Sequence, residues 1–421
     1  MAATSETVAG TLMQLVDGDR DGQCSIVGGG KIDLHSAILV NAGLGNVLEI
    51  DDVHRGAIVH PGDTVIPVAL ALAEQNNLSG SALLDAIIVG YETAIRIGLA
   101  AGIGHYRHWY TTATCGVFGA AAAASRLLQL TEAQTVDALG HAGMMAGGLW
   151  QCREEPTDSK QIATVHAATS GLLAARFALA GGRGPAEILE GRLGFFAAAC
   201  PNPEPAAISA VGDGWKIHDV SFKPWPACRH VHPTIEAALT LRARIGDIDK
   251  IQAIDIATYR DALSFADNAQ PTTPHAARFS LQHCASVALI AGDVRLEHSA
   301  SSAIADPMMS ALRSKVSVHE AAEISAKYPS LFGARMRVTL KNGEHVEHEV
   351  ESAKGDPENP MSADEIVGKA RSLITSTYDA QTAERFIAAS AEVVHGRARS
   401  FGAALRGRPS AIPNSRQQLI A

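Results

Sequence analysis

At 421 residues, with 47% hydrophobic and 19% charged side chains, the chain is long enough for two or three domains with sizeable cores. A formal charge of −9, with no Lys/Arg block, argues against a nucleic-acid partner. The N-terminus lacks a leader pattern, no run of the roughly 18–20 apolar residues needed to cross a bilayer is expected, and six scattered cysteines without a CxxC point to reduced thiols in the cytoplasm.

Up to about Gly214 the pattern is helical. "TVIPVALALAEQNN" and "SGSALLDAIIVGYETAIRIGLAAG" space apolar residues by three and four, with Ser or Asp near the starts and Asn or Gly at the ends. "FGAAAAASRLLQL", "TEAQTVDALGHAGMMAGGL" (Thr131 as N-cap) and "ATVHAATSGLLAARFALAGG" repeat the form, and their small residues suit close helix packing. The texture then changes. "WKIHDVSFKPWPACRHVHP", with three prolines, reads as strand and loop leading into the helix "TIEAALTLRARIG". "IQAIDIATY" and "ARMRVTLKNGEHVEHEVES" read as strands, the latter folded at Asn342-Gly343, with a helix near "SLQHCASVALIAG" between them. An α+β domain over about 215–355 follows, then a return to helix capped by Ser362 and a loose tail, "RPSAIPNSRQQLIA".

Five segments carry candidate chemistry. In "EIDDVHRGAIVHPGDTVIP", Asp51, Asp52 and His60 sit on a loop before a helix, and Pro61 and Asp63 place His60 at the helix's positive end. A charged surface loop with ordinary capping fits the same residues. In "RHWYTTATCGVFG", His108 and Tyr110 are acid–base candidates and Thr114 lies near a helix start suited to a carboxylate; capping and aromatic packing are the alternative. Lys160 lies just before an apolar helix, where a cation is disfavoured unless an anion partners it. "FKPWPACRHVHP" supplies Lys223 and His232, and its Cys-x-His-x-His run does not match a zinc spacing. "ARFSLQHC" supplies Arg278 and Ser280, as anion ligands or as a helix cap beside an exposed arginine.

Taken together and in order, "DD…HPGDTVIPVALALAE", "GYETAIRIG", "TATCGVFGAAAAASRLL", "GLLAARFALAG…GPAEILEGRLGF", "FKPWPACRHVHP", "ARFSLQHCASVAL" and "GDPENPMS" resemble the MmgE/PrpD family over nearly the whole chain. That family includes 2-methylcitrate dehydratase, cis-aconitate decarboxylase and iminodisuccinate epimerase. The resemblance implies a mostly α protein: an all-helical domain built from both chain ends (1–214 and 356–421) and an inserted α+β domain (215–355). It also implies a homodimer and chemistry without metal or cofactor on a small polycarboxylate, at a cleft between domains. Carried over by position, His60, Tyr110, Lys160 and neighbouring His108 fall to catalysis. Asp51, Asp52, Thr114, Lys223, His232, Arg278 and Ser280 fall to substrate binding.

The chain departs from the family pattern in three places. Tyr110 stands six residues before the glycine of "TCG", where the family has a histidine acid or base. A phenol, with a pKa near 10 against about 6.5 for imidazole, suits donation better than abstraction. Ala163 and Val165 replace the His and Gly of the family's Lys-x-x-His-x-Gly, and the helical pair ahead of "CSIVGGGK" is expected to be shortened. The expected activity is a lyase or isomerase of the dehydratase type, acting by proton transfer beside a carboxylate. Epimerase, decarboxylase or a lapsed carboxylate- or partner-binding protein are the alternatives.

Overall fold

The computed structural model describes residues 1–16, 22–155, 157–210, 212 and 214–407, so the tail read from "RPSAIPNSRQQLIA" lies outside the described residues. The chain divides into two compact units. One comprises Met1–Val47, Asp52–Val220 and the segment from Ser362; the other comprises Leu48–Asp51 and Ser221–Met361.

The first unit is helical and is organised around Thr111–Leu127, a helix in which every residue except Arg126 is buried. Its alanine run has the highest helix propensity available and needs no wide groove. Small residues let three neighbours approach closely. Where Gly80–Ala101 crosses it, a side chain at Gly90 would meet the Gly119 carbonyl at 2.9 Å. A side chain at Gly116 would meet Thr64 of Pro61–Gln75, and one at Gly171 of Ser159–Leu179 would meet Ala120 and the Val117 carbonyl. Ser159–Leu179 differs from the sequence expectation, because it is long and apolar enough to span a bilayer by length and composition. Within the fold, 56% of its most apolar window is buried.

The expected caps form. Thr131 and Gln134 make a reciprocal capping box on Glu132–Met144, and Ser362 and Glu365 do so on Ala363–Thr375. A short 3₁₀ turn, Ala2–Ser5, and the helix Thr7–Gln14 precede "CSIVGGGK". The last helix, Ala398–Leu405, is tied to early residues: Gly28 N–H donates to the Leu405 carbonyl (2.8 Å), and Arg406 to Ser25 Oγ (2.8 Å).

The second unit holds a four-stranded sheet in the order Val316–Glu320, Ile251–Thr258, Ala334–Leu340, His345–Val350. The first pair is parallel and the others antiparallel, with Ile256 opposite Val318 and Met336. Ile254, Ile256, Met336 and Val338 are buried in one cluster with Ile235 and Leu241 of His232–Ile245 and with Leu281 and Val287 of Leu281–Ala291. The remaining sheet face pairs charges, including Arg337 with Glu347 (2.6 Å) and Asp255 with His319 (3.1 Å). Gly343, at φ +87°, makes the hairpin turn that Asn342-Gly343 signals. The parallel strand Val316–Glu320 is among the elements not read from sequence, because five residues beside a helical run give too short a pattern.

Candidate active site

In the helical unit the loop before Pro61–Gln75 is tightly folded. His54 bridges to Val59, and Ile58 takes a left-handed φ of +49°, strained for a β-branched residue. His54 Nδ1 accepts the Ala57 N–H at 3.1 Å, and burial pushes the imidazole down to about 4, so the ring is neutral. This fold delivers half-buried His60 to the N-cap of the helix, with Pro61 in its first turn. His60 Nδ1–H donates to the Asp52 carbonyl (2.8 Å), which fixes the tautomer and makes Nε2 the proton-accepting atom. Its backbone N–H donates to Thr112 Oγ1 (3.1 Å), joining the loop to the first turn of Thr111–Leu127. Gly62 is required here: a side chain would collide with Asp52 Oδ1 and come within 2.8 Å of the Tyr91 hydroxyl.

Tyr110 is the N-cap of Thr111–Leu127 and is 2% exposed. Its N–H donates to the Gly148 carbonyl (2.9 Å), and Trp150 N–H to the His108 carbonyl (3.0 Å). This short bridge lays the Trp150 ring 4.7 Å from the Tyr110 ring. The Tyr110 hydroxyl accepts from Asn46 Nδ2 (3.2 Å), which also donates to Thr164 Oγ1 (3.0 Å). Thr164 lies one turn beyond half-buried Lys160 and donates to its carbonyl (3.1 Å). The replaced family position, Ala163, faces the same spot: a side chain at Gly148 would lie 3.7 Å from Tyr110 Cβ and 3.8 Å from Ala163 Cβ.

Two expected members of this group stand apart from it. His108 is exposed. Thr114 is fully buried, with its hydroxyl 2.8 Å from His105 Nε2. His105 donates from Nδ1 to the Ala199 carbonyl (2.9 Å), and burial lowers its pKa.

In the second unit, Lys223 and Asp51 are partners of each other. Lys223 is 1% exposed, with Nζ 3.0 Å from Asp51 Oδ1 and 3.7 Å from Glu49 Oε2. Glu49 holds a left-handed φ of +56°. His232 is fully buried, donates from Nε2 to the Ala227 carbonyl (3.1 Å) and meets Trp225 edge-on at 5.4 Å. Arg278 is buried at the end of Pro274–Arg278. Ser280 is the N-cap of Leu281–Ala291: its hydroxyl accepts from His283 N–H (3.0 Å) and donates to the Asn268 carbonyl (2.5 Å). Ser280 therefore acts as a helix cap, while the arginine expected to be exposed beside it is buried.

His230 bonds the Tyr259 hydroxyl (2.7 Å) and stacks on Phe265 at 4.6 Å. Among the described residues no three His, Cys, Asp or Glu side chains converge as metal ligands, and all six cysteines are free thiols. Residues that sequence reasoning passed over are Asn46, Trp150 and Asp356. Asp356 pairs with Arg229 and accepts from Ser221 Oγ (2.7 Å). Asn46 reads locally as a helix stop, and only the fold reveals its partners.

The chain matches the MmgE/PrpD N-terminal domain over residues 1–207 and the MmgE/PrpD C-terminal domain over residues 225–393. It is 28% identical to the cis-aconitate decarboxylase-like protein oryM of Aspergillus oryzae, covering 88% of this chain and 82% of that one. It is 27% identical to the cis-aconitate decarboxylase of Aspergillus terreus (85% and 78% covered) and 27% identical to that of Homo sapiens (83% and 75%). With both domains matched in order across most of the sequence, the chain belongs to the MmgE/PrpD family.

Proposed function

We propose that this protein is a lyase that acts on a small unsaturated or hydroxylated polycarboxylate, with decarboxylation of a cis-aconitate-like acid as the first reading. The observation that carries it is the pairing of two unlike proton-transfer groups at adjacent helix starts. His60 is held as the Nδ1–H tautomer with Nε2 basic, and Tyr110 is held by Asn46 beneath Trp150. The names of the relatives support decarboxylation ahead of the dehydration that the sequence alone favours.

In decarboxylation the bond to the departing carboxylate breaks, carbon dioxide leaves, and the electron pair spreads toward the neighbouring carboxylate. Tyr110 gives the proton that quenches this carbon, and its phenolate is reprotonated from solvent. Lys160, one turn before Thr164 on the same helix, is assigned to a substrate carboxylate. Dehydration is the second reading, favoured by the same pair: His60 Nε2 takes the α-proton and Tyr110 protonates the departing hydroxide. Incubation with cis-aconitate and with 2-methylcitrate, followed for carbon dioxide and for a new alkene, separates the two. A homodimer belongs to the same proposal, and a monomer mass by analytical ultracentrifugation would contradict it.

A further inference from the structure

We propose that Arg313 is the centre of a binding site for a small oxyanion, a carboxylate or a phosphate, which two of its oxygens hold against one edge of the guanidinium. The inference stands apart from the proposed reaction and uses none of its residues.

Cations buried in a protein are ordinarily paired, and two others in this unit are. Lys223 has Asp51 at 3.0 Å, and Arg229 has Asp356. Arg313 is similarly placed, at 8% exposed, yet it has no carboxylate partner among the described residues. Burial opposes its charge and lowers its pKa. An arginine stays protonated all the same, so the charge lacks the counter-ion that such a setting demands.

The bonds that Arg313 does make fix how the guanidinium lies. It closes the helix Pro307–Arg313, and both bonds leave from one nitrogen. Nη1 donates to His283 Nδ1 (3.3 Å) and to the Ile304 carbonyl (3.4 Å). An arginine only donates, so His283 Nδ1 is the bare ring nitrogen and Nε2 carries the hydrogen. The other ring contact demands the same tautomer, because Nε2 faces the His298 carbonyl at 2.9 Å. His283 is 1% exposed, burial lowers its pKa, and its backbone N–H is taken by Ser280 Oγ (3.0 Å). The ring is therefore a neutral, fixed acceptor that holds one corner of the guanidinium.

With Nη1 committed, the donors left are Nε–H and Nη2, which share one edge of the planar group. Neither has an acceptor among the described residues. Parallel N–H bonds on one edge match the two oxygens of a carboxylate or phosphate. The C-terminal end of the helix adds partial negative charge, which steadies the cation but does not supply those two bonds. The part of Arg313 that stays exposed gives a small ion its approach.

The test uses the full chain labelled with nitrogen-15 arginine, in which each arginine gives an Nε–H signal by NMR. The signal lost in Arg313→Lys is that of Arg313; Arg313→Gln makes the assignment if the lysine variant does not fold. Acetate and inorganic phosphate are each exchanged for chloride at constant ionic strength, and melting temperature is followed in parallel.

The Arg313 signal is expected to move saturably with one or both anions, half-way at about 1–10 mM, as suits a single forked pair. The same anion is expected to raise the melting temperature of the wild type, and the rise to be lost in the variant, where a point charge replaces the fork. The anion with the lower half-saturation names the ligand as carboxylate or phosphate. An Arg313 signal unmoved by both anions up to about 100 mM, a drift without saturation, or an equal rise in melting temperature in the variant would overturn the proposal.

Discussion

At the scale of single residues, the chemistry depends on which polar groups are already committed within the fold. Thr114 and Ser280 have theirs committed, to His105 and to the start of Leu281–Ala291. Tyr110 is bound on its acceptor side by Asn46. Tyr110→Phe removes one oxygen and keeps the ring beneath Trp150, so kcat is expected to fall by about 10²–10⁴, the usual worth of a positioned acid, with a modest stability loss of about 1–3 kcal/mol from the Asn46 N–H left without its acceptor. Steady-state kinetics beside a thermal melt checks this. Lys223 behaves differently. Its ammonium is the counter-charge for Asp51 and Glu49 in a dry environment. Lys223→Met leaves two buried carboxylates facing each other and is expected to cost about 3–5 kcal/mol of stability, read by urea denaturation. A residue pair 172 positions apart is invisible to local pattern, so sequence identified Lys223 and Asp51 separately but not as partners.

At the scale of elements, the loop between Val53 and His60 and the helix that follows it set the geometry. The neutral state of His54 makes the loop acid-sensitive. Its pKa falls from the ordinary 6.5 to about 4 on folding because burial disfavours the charged ring. Below pH 6.5 the unfolded chain takes up this proton and the folded chain does not. The contribution is therefore complete above pH 6.5 and is lost as pH falls toward 4, up to about 3 kcal/mol. Denaturation curves at pH 7 and 4.5 should show that loss, reduced in His54→Asn, whose amide oxygen can accept the Ala57 N–H in place of the ring nitrogen. Gly62→Ala tests the next element, because its methyl group must displace Asp52 or Tyr91. Activity is expected to fall by about tenfold or more, with a smaller loss of stability, about 1–3 kcal/mol. These helices were legible because their apolar spacing and capping boxes are local signals, as at Thr131 and Ser362. Val316–Glu320 was not, because a five-residue parallel strand is defined by pairing with Ile251–Thr258 rather than by its own pattern.

At the scale of the whole molecule, sequence motifs identified a mostly helical family and its candidate residues, while the fold distributed those residues by hydrogen-bond demand. Asp51 and Asp52 are consecutive, yet Asp51 pairs with Lys223 in one unit and Asp52 supports His60 in the other. No sequence rule separates two adjacent aspartates, since both have the same local neighbours and only the long-range partners differ. Asn46 was missed for the same reason, being joined to Tyr110 across 64 positions and to Thr164 across 118. The central claim is that this family member transfers a proton to substrate carbon through Tyr110. The most direct measurement is NMR of the protein with cis-aconitate in D₂O, run beside Tyr110→Phe. The account predicts loss of carbon dioxide and a product carrying one solvent deuterium on carbon, with the rate sharply reduced in the variant. Line broadening of bound cis-aconitate without any product, or equal rates in the two proteins, would contradict it.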